Sequence, residues 1–184
     1  MSAKRLIGAA CALALGLASI TVSADVIVGG SAMYAQKNIV ENAVNSKDHT
    51  TLVAAVKAAG LVDTLEGTGP FTVFAPVNAA FAALPAGTVD TLLKPENKDA
   101  LTKVLTYHVV AGHYTAADLD KLIRKGNGNA MLKSVSGGAL TFQKNGERNI
   151  TVTDESGNVA GITIYDVLQS NGVIFSVDRV LLPK

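Results

Sequence analysis

The chain has 184 residues, 48% of them hydrophobic and 17% charged, and 16 Lys and Arg stand against 15 Asp and Glu. The opposite charges are mixed along the chain, which excludes the basic stripe of a nucleic-acid binder. Trp is absent and Cys11 is the single cysteine, so neither a disulfide framework nor a cysteine-based metal site is expected.

The first predicted element is a secretory signal over residues 1–24. Lys4 and Arg5 precede the apolar stretch Leu6 to Val22, and Val22-Ser23-Ala24 supplies small residues for cleavage after Ala24. The stretch is marginal for a membrane span. Cys11 sits too near its start to accept a lipid. Export to the periplasm or outside the cell follows as the expected localisation, with no membrane insertion after cleavage. Without Lys4 and Arg5 the remaining chain carries 14 basic and 15 acidic residues, a formal charge of −1. It is one domain by length.

Residues 25–36 lack a clear period and read as a flexible lead-in, followed by a single domain over residues 37–184. Ile39, Val40, Ala43 and Val44 share one helical face. Thr50 or Thr51 can cap a helix burying Leu52, Ala55, Val56 and Ala59, which Gly60 ends. Leu61, Val62 and Leu65 form a further turn before Gly67-Thr68-Gly69-Pro70. Phe71 to Ala75 reads as a buried strand. Pro76 breaks it, and Asn78 is placed to cap the next helix. Short helices follow after Thr88 and Pro95, the second burying Leu101, Val104 and Leu105 and running into a strand at Tyr107 to Val110. Thr115 can cap a helix carrying Leu119, Leu122 and Ile123.

From Ala130 the period becomes two. Strands are expected at 130–135, 139–143, 149–153, 161–166, 172–177 and 179–182, with glycine turns between several of them. Helices first and strands later argue an α+β fold. Asn149-Ile150-Thr151 matches a glycosylation acceptor, but here it fits strand alternation.

Catalytic patterns are missing. Gly67-Thr68-Gly69 precedes a strand, where a dinucleotide loop must follow one. No Walker loop or Gly-x-Ser-x-Gly elbow is present. His49, His108 and His113 lack helical zinc spacing. No enzyme activity and no cofactor or metal is expected. An enzyme would require His108, His113 and a carboxylate in one cleft.

Two stretches and one pair carry more. Thr72-Val73-Phe74-Ala75-Pro76-Val77-Asn78-Ala79-Ala80-Phe81, then Tyr107-His108, then Gly172-Val173-Ile174-Phe175-Ser176-Val177-Asp178-Arg179-Val180-Leu181-Leu182-Pro183 occur in that order. Together they resemble the fasciclin domain family over roughly Asn38 to Pro183. The resemblance implies a wedge-shaped β-sandwich with several short helices packed at one side. It also implies a non-enzymatic adhesion or binding role toward a cell-surface or matrix protein or a polysaccharide. In animal members the Tyr-His region is linked to integrin recognition. The chain departs from the family pattern at Val77, where a hydroxyl residue is usual, and at Phe175-Ser176, where His-Val is common.

The candidate binding or structural polar residues are therefore Tyr107, His108, Asn78 and Asp178. His108 reads either as a buried histidine, with Asp178 as its partner, or as part of an exposed contact patch. Exposed loops at Ala111 to Thr115, Arg124 to Asn129 and Asn145 to Arg148 are the better contact surfaces. Lys121, Arg124 and Lys125 read as a solvated helix face. The alternative function is a periplasmic carrier or sensor of a small apolar ligand held between sheet and helices. A pocket of a few hundred cubic ångströms would favour it.

Overall fold

A computed structural model describes residues 25–147 and 149–184, so the expected signal segment and Arg148 lie outside the described residues. A hairpin of β1 (Val26–Val28) and β2 (Ser31–Met33) comes first. A helical layer follows: α1 (Ile39–Ala43), a 3-10 turn (Lys47–His49), α2 (Thr50–Ala59) and α3 (Val62–Glu66). Next are β3 (Phe71–Pro76), α4 (Asn78–Ala82), α5 (Thr88–Leu92), a 3-10 turn (Pro95–Asn97) and α6 (Lys98–Tyr107). Then come β4 (Val109–Ala111), α7 (Ala116–Lys125) and five strands: β5 (Asn129–Lys133), β6 (Ala139–Asn145), β7 (Asn149–Thr153), β8 (Val159–Gln169) and β9 (Gly172–Val177). The class is α+β, as the segregation of periods predicts.

The main sheet has seven strands in the order β4-β3-β9-β8-β7-β6-β5. It curls until its ends nearly meet. Val110 bridges Ser134, and the Val135 N–H donates to the Val109 carbonyl at 2.8 Å. Closure of this kind shields edges that would otherwise invite pairing with other chains. The two halves of the sheet face each other across a core that includes Phe74, Phe142, Phe175, Val152 and Tyr107. Phe74 packs on Phe142 at 5.1 Å between ring centroids and stacks on Phe175 at 5.5 Å. A second core lies between the outer face of the sheet and helices α1 to α6, around Ile39, Leu52, Leu65, Val73, Leu105 and Ile174.

Strands β3 and β9 belong to both cores, which explains their continuous apolar sequence. In β3, Val73 and Ala75 face the helices while Phe74 faces the sheet interior. The two strands pair in parallel, Phe71 opposite Gly172 through Pro76 opposite Val177. The two motifs carrying the family resemblance are thus partners in one ladder.

Several expectations change. Residues 25–36 form the β1–β2 hairpin, and Val28 and Met33 are buried in the helical core. The hairpin is too short for a visible period. Its docking depends on Asn42, whose Oδ1 accepts from the Tyr34 N–H at 3.0 Å while its amide donates to the Tyr34 carbonyl at 2.8 Å. Val44, expected on the buried face of α1, is exposed and Asn42 is buried instead. Tyr107 and His108 are not on a strand: Tyr107 ends α6 and His108 is its C-cap. Residues 179–182 form no strand, because distant polar groups hold their backbone. Strand β8 is longer than expected and bulges between Ile162 and Val167. There Asp166 adopts a left-handed φ of 52°, and its Oδ1 accepts from the Ala116 N–H at 2.7 Å, at the start of α7.

Gly172 faces Phe71 so closely that an added Cβ would collide with the Phe71 carbonyl oxygen and carbon. Gly172→Ala must therefore push β9 away from β3. The expected loss is about 1–3 kcal/mol, as for other overpacked cores, measured as a lower urea midpoint with an unchanged slope.

Candidate functional site

Tyr107 is fully buried at the end of α6. Its hydroxyl donates to the Ala139 carbonyl at 2.7 Å and accepts from the Glu155 N–H at 3.0 Å, tying α6 to β6 and to the turn after β7. Burial pushes the phenol's pKa up. The ring lies against Gly138, where any side chain would strike it.

His108 is 2% exposed. Its Nδ1 lies 2.8 Å from the Val104 carbonyl, and its Nε2 accepts from the Leu181 N–H at 2.9 Å. Those partners assign the neutral Nδ1–H tautomer. Burial pushes its pKa down to about 4, with the Val104 carbonyl and the Asp154 charge acting in the opposite direction. Asp178 is not its partner. Asp178 is exposed, and its Oδ1 accepts from the Gly161 N–H at 2.7 Å while its own N–H donates to the Gly161 carbonyl. That reciprocal pair closes the end of the β8–β9 ladder.

Asn78 corrects a second expectation. Val77 is the N-cap of α4, and Asn78 lies just inside that helix. Its Oδ1 accepts from the Thr51 N–H at 3.0 Å and from the Thr50 hydroxyl at 3.2 Å, and its amide donates to the Lys47 carbonyl at 2.8 Å. Asn78 therefore caps α2 from another part of the chain. Neither Thr50 nor Thr51 does so. Thr115 caps α7 as expected, in a capping box with Asp118.

The structure adds polar residues that the sequence reading did not single out. Asp154 is buried after β7 and accepts from the Ser156 and Asn158 N–H groups, the Asn158 amide and the Leu182 N–H, all within 3.0 Å. Asn171 receives the Ile39 N–H and donates to the Leu65 and Gly67 carbonyls. Thr72 donates to the Gly112 carbonyl and accepts from the Tyr114 N–H, pinning the loop between β4 and α7. His49 sits between Ser46 Oγ at 2.9 Å and Ser176 Oγ at 3.4 Å, and burial lowers its pKa. The only sequence signal for Asp154 is an acid closing an alternating strand. Their partners are too distant in sequence for any local pattern to show.

His113 is exposed in its loop while His108 is buried, so the structure does not gather them into one cleft. Among the described residues, no group of three His, Cys, Asp or Glu is placed to hold a metal ion.

A model of the fasciclin domain matches residues 47–183. The chain belongs to the fasciclin domain family. It is 48% identical over 164 residues to protein sll1483 of Synechocystis, covering 89% of this chain and 83% of that protein. It is 32% identical to the immunogenic protein MPB70 of Mycobacterium bovis, covering 100% of this chain and 99% of the relative. It is 33% identical to the cell surface glycolipoprotein MPB83 of the same species, covering 88% and 74%. Among solved structures it resembles a FAS1 domain pair from the insect cell adhesion molecule fasciclin I, with a TM-score of 0.69 at 18% identity. That match covers 79% of this chain and spans about half (51%) of the insect chain.

In this fasciclin domain the exposed loops fall into two places. Register sets Asn129 opposite Gln143 and Asn145 opposite Asn149, so residues 126–129 and 145–147 lie at one end of the sheet. The loop over residues 111–115 lies at the opposite end of α7, about 15 Å away by helix rise. Near the first end, Asp120 pairs with Arg124 and with Lys144, both at 2.8 Å, while Lys121 pairs with Asp118 at 3.5 Å. Two of the three basic residues there are thus ion-paired, and Lys125 is in none of the ion pairs among the described residues.

Between the helices and the sheet is an apolar cavity of about 90 Å³, lined by Ile39, Leu52, Val56, Leu65, Val73 and Ile174 among others. It is smaller than a site for a drug-sized ligand. Left empty, a cavity of that size costs about 2 kcal/mol.

Two outcomes follow. Asn78→Ala should lower stability by about 1–2 kcal/mol through the lost α2 cap, read as a reduced melting temperature with α4 intact. His108 binds a proton less readily when folded than when unfolded. Its contribution is complete above the unfolded value of 6.5 and falls as pH drops from there toward 4. The loss should approach about 3 kcal/mol for so deeply buried a ring. Urea midpoints measured across that window should fall less steeply in His108→Gln.

Proposed function

We propose that this fasciclin domain is an exported, non-enzymatic binding module, in the periplasm or outside the cell, that recognises a surface or matrix protein or a polysaccharide. The observation that carries this reading is the division of labour between the motifs and the loops. The polar atoms of Tyr107 and His108 are consumed by backbone groups, whereas residues 126–129 and 145–147 are exposed together at one end of a stiff sheet. Binding side chains commonly sit on loops held by such scaffolds.

The surface chemistry there is amide-rich. Asn129 and Gln143 bond to each other across β5 and β6, with Asn127 and Asn145 nearby. Amides both donate and accept, which suits hydroxyl groups and peptide edges. The relatives support the setting, since one is a cell surface glycolipoprotein and the insect structure comes from a cell adhesion molecule. The N-terminal basic-then-apolar pattern supports export.

An array of bacterial and plant polysaccharides and matrix proteins tests this reading. The exported chain should bind selectively. Asn129→Ala combined with Gln143→Ala should abolish that selectivity without unfolding the domain. A folded His108→Ala should keep it. Loss of binding in His108→Ala alone would move the contact surface to the end of α6, and no binding to any surface would sink the reading.

A further inference from the structure

The cavity between the helices and the sheet offers almost no polar lining. Ser46, His49 and His108 border it, but each turns its polar atoms to protein partners. Among the described residues, no buried side-chain nitrogen or oxygen lacks a hydrogen-bond partner. Water needs two to four polar partners to occupy a cavity, and this one supplies none, so the space is suited to hydrocarbon. At about 90 Å³ it falls well short of the several hundred cubic ångströms of a whole-ligand site. That is room for the end of a chain and not a whole ligand.

The lining then leads outward. Val40, Val53, Leu61 and Val62 border the cavity and are half-buried, forming an apolar track between α1, α2 and α3. Three exposed residues border the cavity, Lys57, Thr64 and Val135, and Lys57 is the charged one among its lining residues. Lys57 takes part in none of the ion pairs among the described residues. A dry pocket, an apolar track and an unpaired cation at its mouth match one kind of molecule. Short apolar ligands would leave the track uncovered, and neutral ones would leave the lysine unmatched.

We propose that this cavity binds the end of a linear hydrocarbon chain carrying an anionic head, with the tail between the helices and β3 and the head at Lys57. This develops the apolar-carrier alternative raised by the composition. It is independent of surface recognition, since the loops at residues 126–129 and 145–147 flank the other core.

The test is a titration of the purified exported chain with cis-parinaric acid, a long-chain polyene carboxylate whose emission rises in apolar surroundings, and with its methyl ester. A saturable rise at one site, reversed by palmitate, is expected. Ala43 lines the cavity from a half-buried position on α1. Ala43→Phe should fill the space and weaken binding about tenfold or more, with the circular dichroism spectrum retained. Val53→Phe does the same from α2 should the first variant not fold. Lys57→Glu should weaken the acid and leave the ester unchanged. Displacement by palmitate alone assigns a free fatty acid, and displacement by lysophosphatidylglycerol as well assigns a lipid acyl chain. The proposal fails if no saturable rise occurs, if palmitate does not reverse it, if a folded cavity-filling variant binds as before, or if Lys57→Glu leaves acid and ester equally affected.

Discussion

The parallel pairing of β3 with β9 is the constraint on which the rest depends. Both strands are buried on both faces, so each residue must suit one of two cores. Phe74, Phe175 and Val177 commit one face to the sheet interior. Val73, Ala75 and Ile174 commit the other to the helices. A slip of one residue would exchange every side chain between the two cores. Gly172 reinforces the register by letting the backbones meet where no side chain fits.

Around that pair, buried polar side chains act as long-range fasteners. His108 holds Leu181 across 73 residues and Asn171 holds Ile39 across 132. Asn78 caps α2 from 27 residues downstream. Each satisfies a backbone N–H that would otherwise be costly to bury. The C-terminal segment shows the consequence: residues 179–182 need no strand partner because His108 and Asp154 receive the Leu181 and Leu182 N–H groups. The departures from the family pattern fit this scheme. Phe175 fills the sheet interior beside Phe74 and Tyr165, and Ser176 faces His49. Buried residues of the signature motifs thus build the framework, apart from the exposed surfaces around it.

That separation shapes both functional readings. The loops over residues 126–129 and 145–147 are exposed and contribute to neither core. The cavity, by contrast, is a property of the core itself. It arises where short helices meet β3 without filling the space, and its lining is inherited from residues selected for burial.

Much of the architecture is written locally. Hydrophobic period identifies α2 and its buried face, Thr115 marks the start of α7, alternation marks β7 to the residue, and a run between turn signals marks β9. The α+β class follows from the order of those periods, and the three motifs in register identify the family. The sequence could not show which polar residues would meet. His108 was legible as a buried histidine because its neighbours are apolar, but its acceptor role toward Leu181 depends on how the chain returns after β9. Asn78 was legible as a cap, though the helix it caps is set by packing of α4 beside α2. Local patterns record the period and propensity of a segment. Partners separated by tens of residues are chosen by topology, because only the folded backbone decides which unsatisfied N–H group lies within reach of which side chain.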